Sequence, residues 1–259
     1  MTRPDDDVRQ GGLGVWAPSK TPRIGVTLTD EQKMAIAFRH LADIGFAENM
    51  AGHITWQPDG QSDMYVNPWG LWWQELTASD ICVVDEDARV VRGRWDVTPA
   101  IHIHTEIHRR RPDARVVIHN HPYYVSLIAA LGTLPDLVHQ TGALFLDDTY
   151  LVEKYDGEID TPWRAAELAD QIGSANLVIL ANHGVIATGK DLASAVYRAV
   201  SIDRVCRLAY DVMVTGRTPS TMNRENMVGM QASLIERAAD VYWAGAARLT
   251  IKADRGVLD

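Results

Sequence analysis

In the N-terminal part of the chain, one segment has apolar residues at helical spacing, and the segments after it have the pattern of strands. Thr29 and Gln32 match a capping box, and apolar residues then recur at helical spacing as far as Gly45, a helix-ending residue. Short β-branched runs between turn residues come next. They predict strands at 54–57, 64–67 and 81–85.

Farther along, helical and strand patterns alternate. Pro99 and Pro122 each stand where a proline opens a helix, and the run before His119 is rich in β-branched residues. These patterns predict helices at 100–111, 122–131, 161–172, 191–215 and 223–246, and strands at 114–118, 177–180 and 185–188. There is no repeat or low-complexity linker, so we expect one α/β domain over residues 25–259. Residues 1–24 are rich in Gly, Pro and Asp and predict a flexible arm.

Composition narrows the function classes. The 259 residues are 46% hydrophobic and 23% charged, as in soluble globular proteins. We expect no membrane span, and the charged N-terminus does not resemble a signal peptide, so we expect a cytoplasmic protein. Cys82 and Cys206 lie in apolar runs and are predicted to be buried free thiols. The net charge of −9 argues against nucleic acid as a partner and leaves a small-molecule substrate as the expectation.

Three of the nine histidines stand where strands end. His119 and His121 follow a predicted strand two residues apart, so their side chains share a face. His183 lies between two predicted strands and precedes Gly184, which permits a close approach of the backbone. If the strands are neighbours, three imidazoles converge and leave an open position, as in catalytic metal sites. Spacing alone leaves the alternative that these histidines make ordinary hydrogen bonds.

His104 and His108 lie four residues apart on a predicted helix, with Glu106 between them. In metalloprotease helices the glutamate directly follows the first histidine, which this pattern does not match. The spacing therefore favours histidines of a helix face over metal ligands.

Several motifs together resemble the class II aldolase/adducin family. Residues 117–121 resemble its metal-binding His-x-His strand, and residues 182–184 resemble the motif of its third ligand. Residues 51–55 and 67–70 resemble its two glycine-containing substrate loops, and the ordered similarity covers about residues 30–215. The resemblance implies a central, mainly antiparallel β-sheet flanked by helices. It also implies a homotetramer with active sites between subunits, and a divalent cation (Mn, Zn, Co or Fe) held by His119, His121 and His183.

The acid–base positions depart from the aldolases of that family. Ala100 stands where they carry a catalytic glutamate. His102 is two residues away and is a candidate catalytic group, although a capping or core role is equally compatible with its position. His139 falls near the place of a tyrosine that acts as an acid across the subunit boundary in the aldolases. Because histidine can donate a proton near neutral pH, His139 is the candidate acid.

The substrate loops have also changed. His53 replaces the family's asparagine, Trp69 replaces a hydroxyl residue and a serine is replaced by proline, whereas Gly70 and Thr98 are compatible with the pattern. Phosphate binding needs small residues and short hydroxyl groups, so a sugar phosphate is disfavoured. Trp69 suits stacking on an aromatic ring, and His53 could offer a cation or a hydrogen-bond donor to a carboxylate.

Two neighbouring tryptophans leave two alternatives open. Trp72 and Trp73 would line either the substrate pocket or a subunit interface, where tryptophan is also enriched.

These features predict a metal-dependent carbon–carbon lyase. The resemblance to aromatic decarboxylases of the family implies decarboxylation of a hydroxylated aromatic or heteroaromatic (di)carboxylate, of the dihydroxyphthalate or hydroxypyridine-dicarboxylate type. The alternatives are an aldolase or dehydratase of a non-phosphorylated hydroxy-ketone, an iron-dependent oxygenase, and an adducin-like module without catalytic activity.

Overall fold

The computed structural model describes residues 20–154 and 156–259, together with the backbone of two short paired strands, β1 at Gln10–Gly11 and β2 at Val15–Trp16. Most of the expected flexible arm at 1–24 lies outside the described residues. None of the described helices combines the length and the hydropathy that a bilayer-crossing segment needs.

An eight-stranded sheet forms the centre of the molecule. Its strands are β3 (His53–Trp56), β4 (Met64–Val66), β5 (Cys82–Val84), β6 (Val90–Arg92), β7 (Val116–Asn120), β8 (Thr149–Val152), β9 (Leu177–Leu180) and β10 (Gly184–Gly189). They are arranged in the order β6-β5-β4-β3-β7-β10-β9-β8, and only the β8–β9 pair is parallel. The expected central, mainly antiparallel sheet is therefore confirmed.

The two strands at the sheet edges were not predicted. β6 is exposed along its whole length and β8 is only partly buried, so neither has the apolar alternation that marks a core strand.

Helices cover both faces of the sheet. They are α1 (Asp30–Asp43), α2 (Ile101–Arg110), α3 (Tyr123–Ala130), α4 (Pro162–Ile172), α5 (Leu192–Met213) and α6 (Arg224–Ala253). The capping box that opens α1 is present, because Gln32 N donates to Thr29 Oγ1 and Thr29 N donates to Gln32 Oε1. Both cysteines are buried free thiols, as predicted.

β7 contributes side chains to two apolar clusters, which lie on opposite faces of the sheet. Val116 and Ile118 point into a large cluster with α1, α3 and α5, whereas Val117 points to the opposite face, where it packs with residues of α2 and α4. This alternation follows the two-residue period of a strand. It places His119, two residues after Val117, on the α2 side of the sheet.

Gly184 occupies the tightest place between β7 and β10. A Cβ atom at this position would lie 2.5 Å from Asn120 O and 2.6 Å from His121 Cδ2. Since one contact is with backbone, the strand itself would have to move. The glycine therefore allows the two strands to approach next to His121.

We expect Gly184→Ala to lower the free energy of unfolding by about 1–3 kcal/mol, because the added methyl group overpacks this contact. Gly229→Ala is the matched control, since Gly229 lies in α6 and a Cβ there meets nothing within 4 Å. The control should be neutral or stabilising by up to about 1 kcal/mol. Urea denaturation of both variants measures the difference, and equal stability of Gly184→Ala and the parent chain would contradict this account.

Candidate metal centre

The sheet brings the three predicted ligand residues to one place. His119 is the fourth residue of β7 and pairs with Ile186 of β10, and His121 directly follows the end of β7. His183 directly precedes β10, in a turn where Asn182 adopts a positive φ of 57°. Because β7 and β10 are antiparallel neighbours, the end of one strand lies beside the start of the other.

The three imidazole rings converge. Their centroids are 4.8–5.0 Å apart in every pairing. Each ring offers one nitrogen, and these three nitrogens lie within 4.8 Å of one another. The structure therefore brings together His119, His121 and His183, as the sequence predicted.

Hydrogen bonds on the far side of two rings orient them. His119 Nδ1 lies 3.0 Å from Val185 O, and since a carbonyl only accepts, Nδ1 carries the proton and Nε2 has the lone pair. His121 Nδ1 lies 2.7 Å from Glu48 Oε2, and its buried Nε2 has no partner within the described residues. Such outer partners are typical of metal-ligating histidines, whose tautomer they set.

Two of the three rings have a lowered pKa. Burial, together with His53 and the other two rings of the cluster, holds the pKa of His119 well below its usual value. Burial and the neighbouring His121 lower the pKa of His183 to about 4, against an opposing effect of Glu48. His119 and His183 are therefore neutral at ordinary pH and keep their lone pairs, which suits a cation rather than an anion.

His53 is a predicted substrate-binding residue that lies beside these rings. It pairs with His119 across β3 and β7, and the two ring centroids are 5.0 Å apart. Burial, and then the neighbouring His104, His121 and His183, hold the pKa of His53 well below its usual value. That direction opposes the cationic role that the sequence had left open for His53.

His104 and His108 are not part of the ligand cluster. Both are buried and face β3, where Thr55 Oγ1 lies 2.8 Å from His104 Nδ1 and 2.8 Å from His108 Nε2. They are hydrogen-bonded histidines of a helix face, which agrees with the interpretation that the spacing favoured.

Three further residues were predicted to bind substrate, and they differ in exposure. Trp69 is 47% exposed and so remains accessible for stacking, and Gly70 adopts a φ of 92° in the adjoining turn. Thr98 is buried, and its Oγ1 accepts a hydrogen bond from Ala100 N at the start of α2.

The two tryptophans after that loop differ from each other. Trp72 is half exposed, but Trp73 is fully buried and packs edge-on against Phe38 in the core. For Trp73, both a pocket role and an interface role were wrong. A fully apolar environment inside the same chain accounts for its burial.

The two candidate acid–base residues do not hydrogen-bond with the ligand cluster. His139 caps a short 3₁₀ helix at Gln140–Phe145, where Thr141 N donates to His139 Nδ1. The ring of His102 is partly buried in the first turn of α2 and makes no hydrogen bond within the described part of the chain.

Glu48 is the residue of the site that the sequence did not identify. It lies in the loop between α1 and β3, far along the chain from His121, and no motif marks it. The tertiary structure alone brings its carboxylate within hydrogen-bonding distance of the His121 ring.

A cavity of about 710 Å³ reaches the cluster from the side of β8 and α4. His183 forms part of its wall, and Lys154, Trp163 and Arg164 also line it. The cavity is large enough for a small ligand with one ring and lies against one of the three converging imidazoles.

Comparison with known proteins identifies the family. The profile of the class II aldolase and adducin N-terminal domain matches residues 32–210. This range contains all three histidines of the cluster, as well as Glu48 and the loops around His53 and Trp69.

Three curated relatives are about one-third identical to the chain within the aligned region. An adducin-related protein of Schizosaccharomyces pombe is 31% identical over 187 residues, which cover 65% of this chain and 56% of the relative. Decarboxylase NovR of Streptomyces niveus is 32% identical over 179 residues, covering 67% and 66%. The 4-hydroxy-3-prenylphenylpyruvate oxygenase/4-hydroxy-3-prenylbenzoate synthase of Streptomyces roseochromogenus is also 32% identical, covering 67% and 64%. The matched region thus spans between about half and two thirds of the length of these relatives.

A solved structure supports the same fold. The L-fuculose 1-phosphate aldolase from Glaciozyma antarctica superposes with a TM-score of 0.78 at 22% identity, covering 88% of this chain and 91% of that chain. Identity at that level is informative about the fold alone. The match of the family profile over most of the chain and the similarity to curated relatives lead to one conclusion: this chain belongs to the class II aldolase/adducin family.

Proposed function

We propose that the chain is a metal-dependent carbon–carbon lyase whose divalent cation is held by His119, His121 and His183. The convergence of three imidazoles carries the proposal, since their nitrogens lie within 4.8 Å of one another. The buried His121 Nε2 supports it further, because an unpartnered polar atom inside a protein is costly unless something binds it.

The donor set fits a catalytic metal. Imidazole nitrogens accept Mn, Zn, Co and Fe, and three protein ligands leave a position open for substrate. When bound, such a cation stabilises negative charge that develops on a substrate oxygen. The protein's own contribution is to orient the rings of His119 and His121 through Val185 O and Glu48, and to lower the pKa of His119 and His183 through burial.

Decarboxylation suits this site better than aldol cleavage. Ala100 stands at the position of the aldolase glutamate, and the nearby carboxylate of Glu48 is engaged by His121 Nδ1. Loss of carbon dioxide requires no base for an alcohol proton, but it does require an acid that protonates the ring carbon. The similarity to a relative named as a decarboxylase supports this choice.

His139 is the proposed acid. Thr141 N donates to His139 Nδ1, so Nε2 is the nitrogen left to transfer a proton to the substrate. We propose that the chain assembles as a homotetramer in which His139 reaches the site of a neighbouring subunit. His102 is the second candidate, since its ring makes no hydrogen bond within the described residues and lies two residues from Ala100.

The proposed substrate is a hydroxylated aromatic or heteroaromatic (di)carboxylate. Trp69, nearly half exposed, offers a flat surface to such a ring, and Gly70 keeps the adjoining turn free of a side chain. Thr98 Oγ1 accepts from Ala100 N, which leaves its own hydrogen for a substrate carboxylate. This proposal assigns substrate contacts to His53, Trp69, Gly70 and Thr98.

An oxygenase is the second candidate function. One relative at 32% identity is named as an oxygenase, and three histidines also suit ferrous iron. An aldolase or dehydratase of a non-phosphorylated hydroxy-ketone would use the same metal with another acid–base group. An adducin-like module without activity would have no use for the metal.

Glu48 should control the metal affinity of the cluster. We expect the parent chain to bind one Mn²⁺ or Zn²⁺ per chain in isothermal titration calorimetry. Glu48→Gln should weaken binding about 10–100-fold, because the charge that orients His121 and raises its basicity is lost. Glu225→Gln, at an exposed carboxylate of α6, is the control and should bind as the parent does. Absence of metal uptake by the parent would instead favour the adducin-like module.

Product analysis separates the enzymatic alternatives. The metal-loaded chain should release carbon dioxide from at least one member of a panel of hydroxylated aromatic and heteroaromatic dicarboxylates. His139→Gln should reduce the rate without abolishing metal binding, since the residue does not contact the cluster of its own chain. Cleavage of hydroxy-ketones without carbon dioxide release would support the aldolase alternative. Oxygen consumption with ferrous iron would support the oxygenase.

A further inference from the structure

The cavity between β8 and α4 has a wall that the substrate contacts assigned above do not use. The described residues of this wall include none of the four assigned contact residues, whereas His183 of the metal centre belongs to it. A ligand held at the metal centre therefore has about 710 Å³ of further space beside it. The side chains around that space indicate which part of a ligand it suits.

The parallel pairing of β8 with β9 brings Lys154 to the edge of the sheet at which the metal centre lies. Val152 pairs with Leu180 at the ends of the two strands, and Ala181 N donates to Val152 O. Paired strands lie about 4.8 Å apart, so the segments that follow them leave the sheet side by side. Lys154 comes two residues after β8 and His183 comes three residues after β9, and both line the cavity.

Lys154 is the cation of this wall that remains available to a ligand. Its side chain is exposed and makes no ion pair or hydrogen bond with any described residue. Arg164 also lines the cavity, but its guanidinium group donates to the main-chain carbonyl groups of Asp156 and Glu158. Arg164 therefore fixes the loop that forms part of the wall, and the ammonium group of Lys154 is free to pair with an anion.

The helix on the other side of the cavity presents one stripe of side chains to it. Trp163, Glu167 and Gln171 recur every four residues on α4, share a face of the helix and line the cavity. Trp163 is 61% exposed, so its indole offers apolar surface to part of a ring. Glu167 offers a carboxylate that accepts hydrogen bonds.

The charges of the wall favour a ligand with mixed polar groups. Among its described residues, Glu153, Asp156 and Glu167 are negative, and Lys154 and Arg164 are positive. The cavity as a whole therefore does not attract anions, and a carboxylate is favoured only next to Lys154. Ring hydroxyl groups, in contrast, find acceptors on the acidic side chains. A hydroxylated ring with one carboxylate directed at Lys154 satisfies both conditions.

We propose that this cavity binds the carboxylate that stays on the substrate after decarboxylation, and that Lys154 is the specificity-determining residue that pairs with it. The carboxylate that is lost then lies at the metal centre. The identity of the substrate rests on the proposed function, whereas binding of a carboxylate at Lys154 does not require turnover or a metal. Dicarboxylates are therefore preferred to monocarboxylates with the same ring.

Three substitutions at exposed lysines test the proposal. Lys154→Met removes the charge and keeps an unbranched side chain, and Lys154→Arg keeps the charge. Lys190→Met is the matched control, because Lys190 is exposed, follows the end of β10 that is remote from His183 and does not line the cavity. Since both lysines are exposed, all three variants should fold as the parent does.

Amide NMR titration of the metal-free protein measures binding in the cavity. Isophthalate is the probe, and isophthalamide is its neutral analogue. We expect isophthalate to shift the amide signals of residues 163–171 and 180–184 and to bind the parent about 5–10-fold more tightly than isophthalamide. Lys154→Met should remove this difference, and Lys154→Arg and Lys190→Met should keep it. No isophthalate shift of these signals in the parent, or an undiminished difference in Lys154→Met, would overturn the proposal.

Turnover supplies the second readout. With a dicarboxylate that reacts in the panel, Lys154→Met should raise KM about 5–10-fold with a smaller change in kcat, and Lys154→Arg should restore most of the loss. An unchanged KM in Lys154→Met would overturn the assignment of Lys154 while the proposed function stands. If no panel member reacts, the proposed function fails, and the NMR titration still decides whether Lys154 binds a carboxylate.

Discussion

The antiparallel contact between β7 and β10 is the interaction on which the site depends. It places the end of one strand against the start of the other, so that His121 and His183 meet across the strand boundary while His119 comes from within β7. The contact is close because Gly184 leaves room for the backbone of Asn120. Three imidazoles that are distant in sequence thereby share one point, and no loop has to become ordered to assemble them.

Burial gives these imidazoles their chemistry. A histidine in water is partly protonated near pH 6.5, and three protonated rings at this separation would repel one another. Burial and mutual proximity instead hold the pKa of His119 and His183 below the usual value, so these two rings are neutral at ordinary pH. The cost of burying polar rings is offset where each finds a hydrogen-bond partner, as His119 does at Val185 O and His121 at Glu48.

The buried histidines of α2, which lie against β3, also need hydrogen-bond partners. The face of α2 that covers β3 carries two histidines where an apolar residue would ordinarily pack, and Thr55 satisfies both of them. Next to them on the same helix, Ile103 and Ile107 pack into an apolar cluster with Val117. α2 therefore has an apolar half that anchors it to the sheet and a polar half that reaches His53. A buried polar network that is nearly complete in its bonds is rigid, and that rigidity suits a residue beside a metal centre.

The chain also differs from the aldolases of its family at three positions of the acid–base and substrate motifs. Ala100, His53 and Trp69 replace the glutamate, the asparagine and a hydroxyl residue that the resemblance leads one to expect. The changes remove a base and a phosphate site and add aromatic surface. The three histidines that match the ligand motifs of the family are retained.

The sequence by itself determined the local features. Capping residues, β-branched runs and the positions of glycine and proline marked the six α-helices and the six inner strands of the eight-stranded sheet, because those signals act within a few residues. The spacing of His119 and His121 and the motif around His183 marked the ligands for the same reason. The tertiary structure alone decided that Glu48 orients His121, that Trp73 belongs to the core, and that His104 and His108 join Thr55 and His53 in one hydrogen-bonded network. Those contacts join residues far apart along the chain, and a side chain's environment depends on which distant segments pack against it.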